Sequence, residues 1–370
     1  MWPTWSGEPF FPAGLTAERE RTAADQWLRP GTRGLKEGDA VEGLTSVDVC
    51  SGAGGLALGL EDAGVSPALL LDNKRQACET LLANRPNWNV VCEDLIDFLP
   101  EKFPEALDVD LLSAGLPRVK ASAAVRRADS DQELRLLTAT IYLVHSIQPR
   151  ALLLENVPAL AESPAYSGIR DFVRAELAHL GYEFCWFVLN AADFGVPQER
   201  KVGILVAIKK QWFHAFSPPA PTVTEHVPVG RALRRSMAAR GWPEADVWAA
   251  QALAVAPTLV GGSDNRGGAD LGPTGTKRAW ARMGVNAGAL ADEVPGPEYQ
   301  WQPSGEAGRQ LKITVDQAAL LQSFPPEWRI TGRKTAKYRQ IGHSTPPPVG
   351  RALGMAITTA LRSPDGGRKA

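Results

Sequence analysis

The sequence lacks the features that mark several classes of protein. Its 40 Lys and Arg residues are balanced by 41 Asp and Glu residues, so the net charge of −1 gives no global basic field, although local patches can still bind nucleic acid. The four cysteines have neither paired nor CxxC spacing, so neither a disulfide framework nor a metal site is indicated. No apolar run reaches the roughly 18 residues of a membrane span, and the N-terminus lacks a signal-peptide layout. We therefore expect a cytoplasmic protein that makes no use of a membrane.

What is present is the composition of an ordinary globular protein. Hydrophobic residues make up 44% of the chain and charged residues 22%, which is enough to bury a core. A length of 370 residues exceeds one minimal domain. The chain is therefore expected to form either two lobes or one large α/β domain with an insertion.

Short apolar runs alternate with helical stretches from about residue 45 onward. The runs of strand length are "TSVDVCS", "ALLLD", "NVVCED", "DVDLLSAG", "RALLLEN" and "KVGILVAI". The helical stretches between them are "GLALGLEDAG", "KRQACETLLANRP", "DQELRLLTATIYLVHSIQ" and "SGIRDFVRAELAHLG". Continuous apolar strands are typical of a sheet covered on both faces, so the pattern predicts an α/β fold with a doubly wound, mostly parallel, Rossmann-like sheet.

This alternation ends near residue 215, where Pro-rich and Gly-rich stretches begin. Sequence patterns typical of helices return at "ITVDQAALLQSF" and again at "PPPVGRALGMAITTALR". The predicted domains are an N-terminal extension (1–44), a catalytic-type domain (45–210), a smaller loop-rich domain (211–308) and C-terminal helices that complete the catalytic-type domain (309–370).

A glycine turn joins the first predicted strand to the first helix. Gly52, Gly54 and Gly55 allow a sharp turn and a close approach of a ligand to the backbone. The spacing is not that of a triphosphate-binding loop. Asp72 and Asp94 follow the next two strands, and ligands of open α/β sheets bind at this carboxyl edge, where an acid can accept hydrogen bonds from ribose hydroxyls. The alternative is that the glycines only cap a helix and the acids are solvated.

Five segments of the chain resemble motifs of the cytosine-5 DNA methyltransferases, in that family's order. They are "DVCSGAGGLALGLEDAG", "LLENV", "NAADFGVPQERKVGILVAI", "LKITVDQAALLQSFPPEW" and "KYRQIGHSTPPPVGRALG". The resemblance implies a fold that uses S-adenosylmethionine, as in restriction-modification enzymes. It also implies a target-recognition domain over 211–308 that faces the catalytic lobe across a cleft for double-stranded DNA.

The resemblance assigns a set of residues to S-adenosylmethionine or its product S-adenosylhomocysteine. In this family's pattern the glycine turn approaches the methionine end of the cofactor, Asp72 the ribose, and Asp94 with Leu95 the adenine. The implied cofactor residues are Asp48, Cys50, Ser51, Gly52, Gly54, Gly55, Asp72, Asn73, Asp94, Leu95, Gly115, His343 and Ser344.

The catalytic centre departs from the family's pattern. In that family a thiolate adds to C6 of a flipped cytosine, which makes C5 able to attack the methyl sulfonium. Glu155 matches the residue that holds the base and Asn156 matches its neighbour. Arg200 matches the first arginine of a later motif, but Arg118 occupies the position of the cysteine. A guanidinium group stays protonated and cannot act as a nucleophile.

Other departures point to natural divergence rather than a single inactivating change. Val202 stands where the family has a second arginine, and His343 stands where asparagine is usual. We hypothesise that Arg118 forms an ion pair with Glu155 in the space of a flipped cytosine. The alternatives are a surface position on a diverged loop and a contact to a DNA phosphate.

The remaining candidates concern DNA and the choice of function. The DNA-contact candidates are Gln198, Arg266, Lys277 and Arg278.

We expect a catalytically impaired or non-catalytic homologue that binds the cofactor and either DNA or a partner chain, such as a second methyltransferase-like protein. Two alternatives stay open: an active methyltransferase with a non-standard mechanism or a nucleophile from a partner chain, and an enzyme with new chemistry on a flipped base.

Overall fold

A computed structural model describes residues 43–119, 129–262, 269–302 and 310–364, with the side chains of residues 129–131 left aside. Except for its last two residues, the extension predicted over 1–44 lies outside these ranges, as does Arg266. In the described part, no helix is both long and apolar enough to cross a membrane. The same residues contain no group of three or more side chains suited to hold a metal ion.

Seven strands form one sheet in the order β3-β2-β1-β4-β5-β8-β6. The described strands are β1 (Leu44–Val49), β2 (Val65–Leu71), β3 (Val90–Val91), β4 (Leu111–Gly115), β5 (Ala151–Asn156), β6 (Tyr182–Asn190), β7 (Gln198–Glu199), β8 (Lys201–Lys209) and β9 (Ala256–Pro257). The pairings among β1 to β5 are parallel, whereas β8 runs antiparallel to β5 and to β6. The predicted mostly parallel α/β sheet is therefore confirmed.

Each of the six predicted apolar runs contains a strand, but β6 was missed. Its sequence, YEFCWFVLN, mixes aromatic and polar residues, and most of its side chains are only half-buried because it lies at the edge of the sheet. Periodicity alone gives a weak signal for such an edge strand. β7 and β9 pair with each other outside the main sheet.

Helices cover both the sheet region and the stretch that the sequence predicts to be loop-rich. The described helices are α1 (Gly55–Asp62), α2 (Arg75–Asn84), α3 (Asp129–Ile147), α4 (Pro158–Glu162), α5 (Ser167–His179), α6 (Lys210–Phe213), α7 (Val229–Met237), α8 (Ala245–Gln251), α9 (Thr274–Ala281), α10 (Val315–Leu321), α11 (Lys334–His343) and α12 (Pro347–Leu361). Helices α7, α8 and α9 enclose a core with the fully buried Trp248 and Trp280. Residues 211–308 therefore contain ordered helices as well as loops.

Helices α1 and α12 pack closely through glycines. A Cβ atom on Gly59 would lie 2.3 Å from the carbonyl oxygen of Pro347, and one on Gly350 would lie 2.9 Å from that of Leu56. Only glycine permits backbones to approach this closely. The contact holds the start of α12, which follows Thr345, against the turn after β1.

Candidate functional site

The carboxyl ends of β1, β2 and β4 meet around the glycine turn. Cys50 and Gly52 both have φ near +54°, a left-handed conformation that turns the chain sharply after β1. The Ser51 hydroxyl donates to the Asp48 carbonyl at 2.8 Å and closes this turn. The Asp48 carboxylate lies below it and accepts a hydrogen bond from Ser113 of β4 at 2.7 Å.

Asp72 ties the glycine turn to the loop after β2. Its two carboxylate oxygens accept from the backbone N–H groups of Gly52 and Lys74, each at 2.8 Å. Burial raises the pKa of Asp72, although these two hydrogen bonds oppose the shift. Asn73 reaches the next loop, where its amide donates to Asp94 at 2.8 Å. The structure therefore brings the glycine turn, Asp72 and Asp94 to one edge of the sheet.

The three glycines of the turn have different roles. A Cβ atom on Gly52 would meet nothing within 4 Å, so open space lies beside it. The corresponding atom on Gly54 would lie 2.6 Å from a Leu81 methyl group, and that on Gly55 only 2.1 Å from the Thr345 carbonyl oxygen. Packing within the protein therefore requires glycine at positions 54 and 55, and the expected approach of a ligand to their backbone stays a prediction.

Asp48 is almost fully buried, and its Oδ2 atom has no hydrogen-bond partner among the described residues. Burial, partly opposed by hydrogen bonds from Ser113 and Ser51, raises the pKa of Asp48 from 3.8 to about 7. The Asp48 carboxyl group therefore binds its proton more tightly in the folded state than in the unfolded state. The resulting stabilisation is complete below about pH 4 and is lost as the pH rises to about 7.

Replacing Asp48 with asparagine is expected to remove this pH dependence. At about pH 8 the D48N variant should unfold at a higher urea concentration than the natural chain, because an uncharged amide replaces a buried carboxylate. At about pH 4 the two midpoints should coincide, since both side chains are then neutral. A difference of the same size at both pH values would contradict the assigned shift.

No cysteine offers a substitute nucleophile. All four cysteines are among the described residues. Burial and the neighbouring carboxylates of Asp72, Asp48 and Asp94 raise the pKa of Cys50, which disfavours the thiolate. Burial also raises the pKa of Cys78, and it raises that of Cys185 in the edge strand β6 to about 11. Cys92 is exposed just after β3.

Glu155 forms the centre of a second group of polar residues, at the end of β5. It lies beside Gly115 in the parallel β4–β5 pairing and is almost fully buried. The Thr345 hydroxyl donates to its Oε2 atom at 2.9 Å, while Oε1 has no partner among the described residues. The sequence reasoning missed Thr345, although its neighbours Ser344 and His343 lie in a recognised motif.

Asn156 holds the loop that carries Arg118. Its Oδ1 atom accepts from the backbone N–H of Val119 at 3.1 Å, and its Nδ2 atom donates to the carbonyl of Pro117 at 3.2 Å. Both neighbours of Arg118 are thus fixed to the residue that follows Glu155. The backbone of Arg118 is therefore held at the end of β5, the strand that carries Glu155.

The hypothesised ion pair between Arg118 and Glu155 is absent. Arg118 is half-buried, and no hydrogen bond or ion pair joins its guanidinium to Glu155. Desolvation lowers the pKa of Arg200 and of His343, and the positive charge of Arg118 lowers both further. Glu155 instead accepts a hydrogen bond from Thr345 at Oε2, and its Oε1 atom has no partner among the described residues.

Arg200 is fully buried beside this group. Its Nη1 atom donates to the carbonyls of Leu259 and Gly342 at 3.2 and 3.0 Å, while Nε and Nη2 have no partner among the described residues. Burial and the charge of Arg118 lower its pKa to about 9, opposed by Glu155. Arg200 thus stays protonated at neutral pH.

His343 is the last residue of α11, and Ser344 is its C-cap. The side chain of His343 is exposed, and desolvation together with the positive charge of Arg118 lowers its pKa. Ser344 is buried, and its hydroxyl donates to the carbonyl of Gln340 at 2.8 Å. Leu95 is also buried, with its side chain in the core below the sheet edge.

The DNA-contact candidates differ in how they are placed. Gln198 is fully buried; its Oε1 atom accepts from the backbone of Leu259 at 2.9 Å, and its amide nitrogen contacts Gln322. A structural role thus replaces the predicted DNA contact of Gln198. Arg278 is exposed, whereas Lys277 forms a 2.8 Å ion pair with Asp270.

Three comparisons relate the chain to known proteins. The sequence-family model for the C-5 cytosine-specific DNA methylases matches residues 44–248 and 263–359. The type II methyltransferase M.NaeI of Lentzea aerocolonigenes is 41% identical over 329 residues, which cover 89% of this chain and 78% of the relative. M.NgoMIV of Neisseria gonorrhoeae is 36% identical over 86% of this chain and 98% of its own length. The Dnmt2 methyltransferase of S. pombe shares the fold, with a TM-score of 0.57, 18% identity and coverage of 86% and 99%.

Proposed function

The chain belongs to the C-5 cytosine-specific DNA methylase family, and from that premise we propose that it is a non-catalytic homologue that binds S-adenosylmethionine or S-adenosylhomocysteine together with double-stranded DNA. One observation carries the proposal: Arg118 occupies the position of the nucleophile, beside a retained Glu155 and Arg200. A protonated guanidinium has no lone pair with which to attack a pyrimidine ring. The fold is thus kept without the group that starts the reaction.

The residues at the glycine turn fit the cofactor. The space beside Gly52 is open, and the buried Asp48 Oδ2 atom at this edge lacks a partner. We expect Gly52 and Ser51 to face the methionine part, Asp72 to accept from the ribose hydroxyls with its remaining lone pairs, and Asp94 to flank the adenine. When bound, S-adenosylmethionine would supply an electrophilic methyl group.

The group around Glu155 fits a flipped base. Among the described residues, Glu155 keeps one free carboxylate oxygen for the amino edge of a cytosine, and Arg200 keeps free donors on Nε and Nη2. Thr345 fixes the Glu155 carboxylate, while Asn156 fixes the loop of Arg118. These residues would bind and orient a base without transferring anything to it. Residues 211–308 are proposed to form the target-recognition domain, where Arg278 is free to contact DNA.

Replacing Gly52 with alanine is expected to weaken cofactor binding at least about tenfold. The new methyl group would occupy the open space, and the left-handed backbone would add strain of about 1 kcal/mol. Isothermal titration calorimetry with S-adenosylhomocysteine measures the change.

Gly64 supplies a matched control. Its φ is +82° and a Cβ atom there would also meet nothing within 4 Å, but it precedes β2, at the opposite edge of the sheet. The G64A variant should therefore carry similar strain and bind the cofactor normally. Equal affinities of G52A and G64A would remove Gly52 from the cofactor site, and no binding by the natural chain would refute the cofactor proposal.

A second candidate is an active enzyme that borrows its nucleophile from a partner chain. The unpartnered atoms of Glu155 and Arg200 favour it, since they would serve a reacting base equally well. Methyl transfer that requires both this chain and a thiol-bearing methyltransferase, and that disappears when Glu155 is replaced with glutamine, would support this candidate.

A further inference from the structure

The two edges of the seven-stranded sheet differ in length. One edge is β3, which has two residues, and the other is β6, which has nine. All nine residues of β6 pair with β8 in one unbroken antiparallel register. Within the described ranges of the chain, no strand pairs with the outer side of β6. The outer side of β6 is therefore a long row of main-chain groups without a neighbouring strand.

The hydrogen bond at the end of the β6–β8 ladder shows which residues of β6 face outward. The N–H of Ala191 donates to the carbonyl of Arg200 at 2.8 Å, in the register of the ladder. In an antiparallel pair every second residue bonds to the neighbouring strand, so the odd-numbered residues of β6 bond to β8 and the even-numbered ones point away from it. Outside the ladder, the described segments provide no backbone hydrogen bond to the three central outward-facing residues, Phe184, Trp186 and Val188.

This edge lacks the features that keep natural edge strands from pairing with another chain. Those features are a very short strand, lysine or proline on the edge, and β-bulges. β3 is very short, whereas β6 has nine residues, no proline, no lysine and no shift of register. Its only charged residue is Glu183, and residues 184–188 are half-buried. We therefore expect β6, and not β3, to accept a further strand.

A second copy of β6 is complementary to this edge. If two antiparallel copies pair about Trp186, this residue opposes its own equivalent, and Phe184 opposes Val188 of the second copy. Even-numbered residues then oppose even-numbered residues, so every outward-facing N–H and carbonyl meets a partner. Cross-strand pairs of aromatic and β-branched side chains stabilise a sheet. Glu183 opposes Leu189 of the second copy, so no like charges face each other.

We propose that two copies of this chain associate through β6, so that their sheets join into one continuous sheet. Antiparallel pairing of identical edges produces a closed two-fold dimer, in which the same edge has no room for a third copy. The main-chain hydrogen bonds supply the contact, and the aromatic side chains of Phe184 and Trp186 on both copies add apolar area. The inference is independent of the proposed function, because it uses only the geometry of the sheet.

The test compares the natural chain with V188P and V188T. The N–H of Val188 faces outward, so proline removes no hydrogen bond to β8 but removes one donor from the edge. Threonine keeps the N–H and the β-branched shape, and V188T is therefore the matched control. Sedimentation velocity over a series of protein concentrations measures the mass of the full chain. A reducing agent is present throughout, because Cys92 is exposed and would otherwise form disulfides between copies.

The natural chain and V188T are expected to change from monomer to dimer as the concentration rises, and V188P should dimerise at least about tenfold more weakly. Hydrogen exchange of the natural chain should slow in peptides that contain β6 when the concentration is raised, since the outward N–H groups become bonded. A natural chain that stays monomeric at every concentration would overturn the inference. So would a dimer that a folded V188P retains, or slower exchange confined to other segments. If V188P does not fold, the exchange measurement on the natural chain decides.

Discussion

Replacing Arg118 with cysteine is expected to create measurable methyl transfer to cytosine in duplex DNA, at least about a hundredfold above the natural chain. The thiol would stand on a loop that Asn156 already fixes beside Glu155. The nearby cation of Arg200 would lower the thiol's pKa and favour the reactive thiolate. Incorporation of labelled methyl groups from S-adenosylmethionine into mixed-sequence DNA measures the gain.

Two control variants test whether the gain in methyl transfer depends on the thiol and on Glu155. R118S offers a side chain of similar size but much weaker nucleophilicity and should stay at background. R118C combined with E155Q should lose most of the gain, because the amide cannot replace the carboxylate that holds the base. An R118C chain that folds, binds S-adenosylhomocysteine and binds DNA but transfers no methyl group would show that the thiol is not the only missing element. Val202, in place of the second arginine, would then be the next residue to replace.

Replacing Gly55 with alanine is expected to destabilise the fold by about 3 kcal/mol or more, the upper range for overpacking. The new Cβ atom would lie 2.1 Å from the Thr345 carbonyl oxygen, so the contact is between two backbones and no side chain can move aside. Separating them would also disturb the 2.9 Å hydrogen bond from Thr345 to Glu155. Urea unfolding should show the loss as a lower midpoint.

Gly168 is the matched control for this substitution. It lies in the first turn of α5, as Gly55 lies in the first turn of α1, but a Cβ atom there would meet nothing within 4 Å. G168A should therefore be neutral or stabilising by up to about 1 kcal/mol, since alanine is the better helix former. Similar midpoints for G55A and G168A would show that α1 and the Thr345 segment adjust freely, which contradicts the tight packing described here.

The sheet could be predicted from the sequence because its central strands are continuous apolar runs between amphipathic helices. The same reasoning missed β6, whose half-buried edge position gives no clear period, and it underestimated the helical content of residues 211–308. The short helices α8 and α9 each contribute one buried tryptophan, Trp248 and Trp280, to a core formed by residues that are far apart in the chain. A local sequence pattern does not indicate packing between residues that are far apart in the chain.

The candidate site was predictable where residues follow strands and unpredictable where they depend on distant contacts. Asp72 and Asp94 reach the glycine turn because parallel strands end at one edge. The packing roles of Gly54 and Gly55 depend on Leu81 and Thr345, far along the chain, and motif matching cannot separate such glycines from one that faces open space. For the same reason Gln198 was expected at DNA although Leu259 and Gln322 bury it.

We propose that a guanidinium at residue 118 has removed the covalent step from a chain that keeps the family's fold. Its most direct test is a long incubation of the purified natural chain with labelled S-adenosylmethionine and cytosine-rich duplexes, with no other protein present. We predict that cofactor and DNA bind while incorporated label stays at the level of a blank without protein. Label that accumulates on C5 of cytosine through repeated turnovers, in a preparation of verified sequence, would contradict the account.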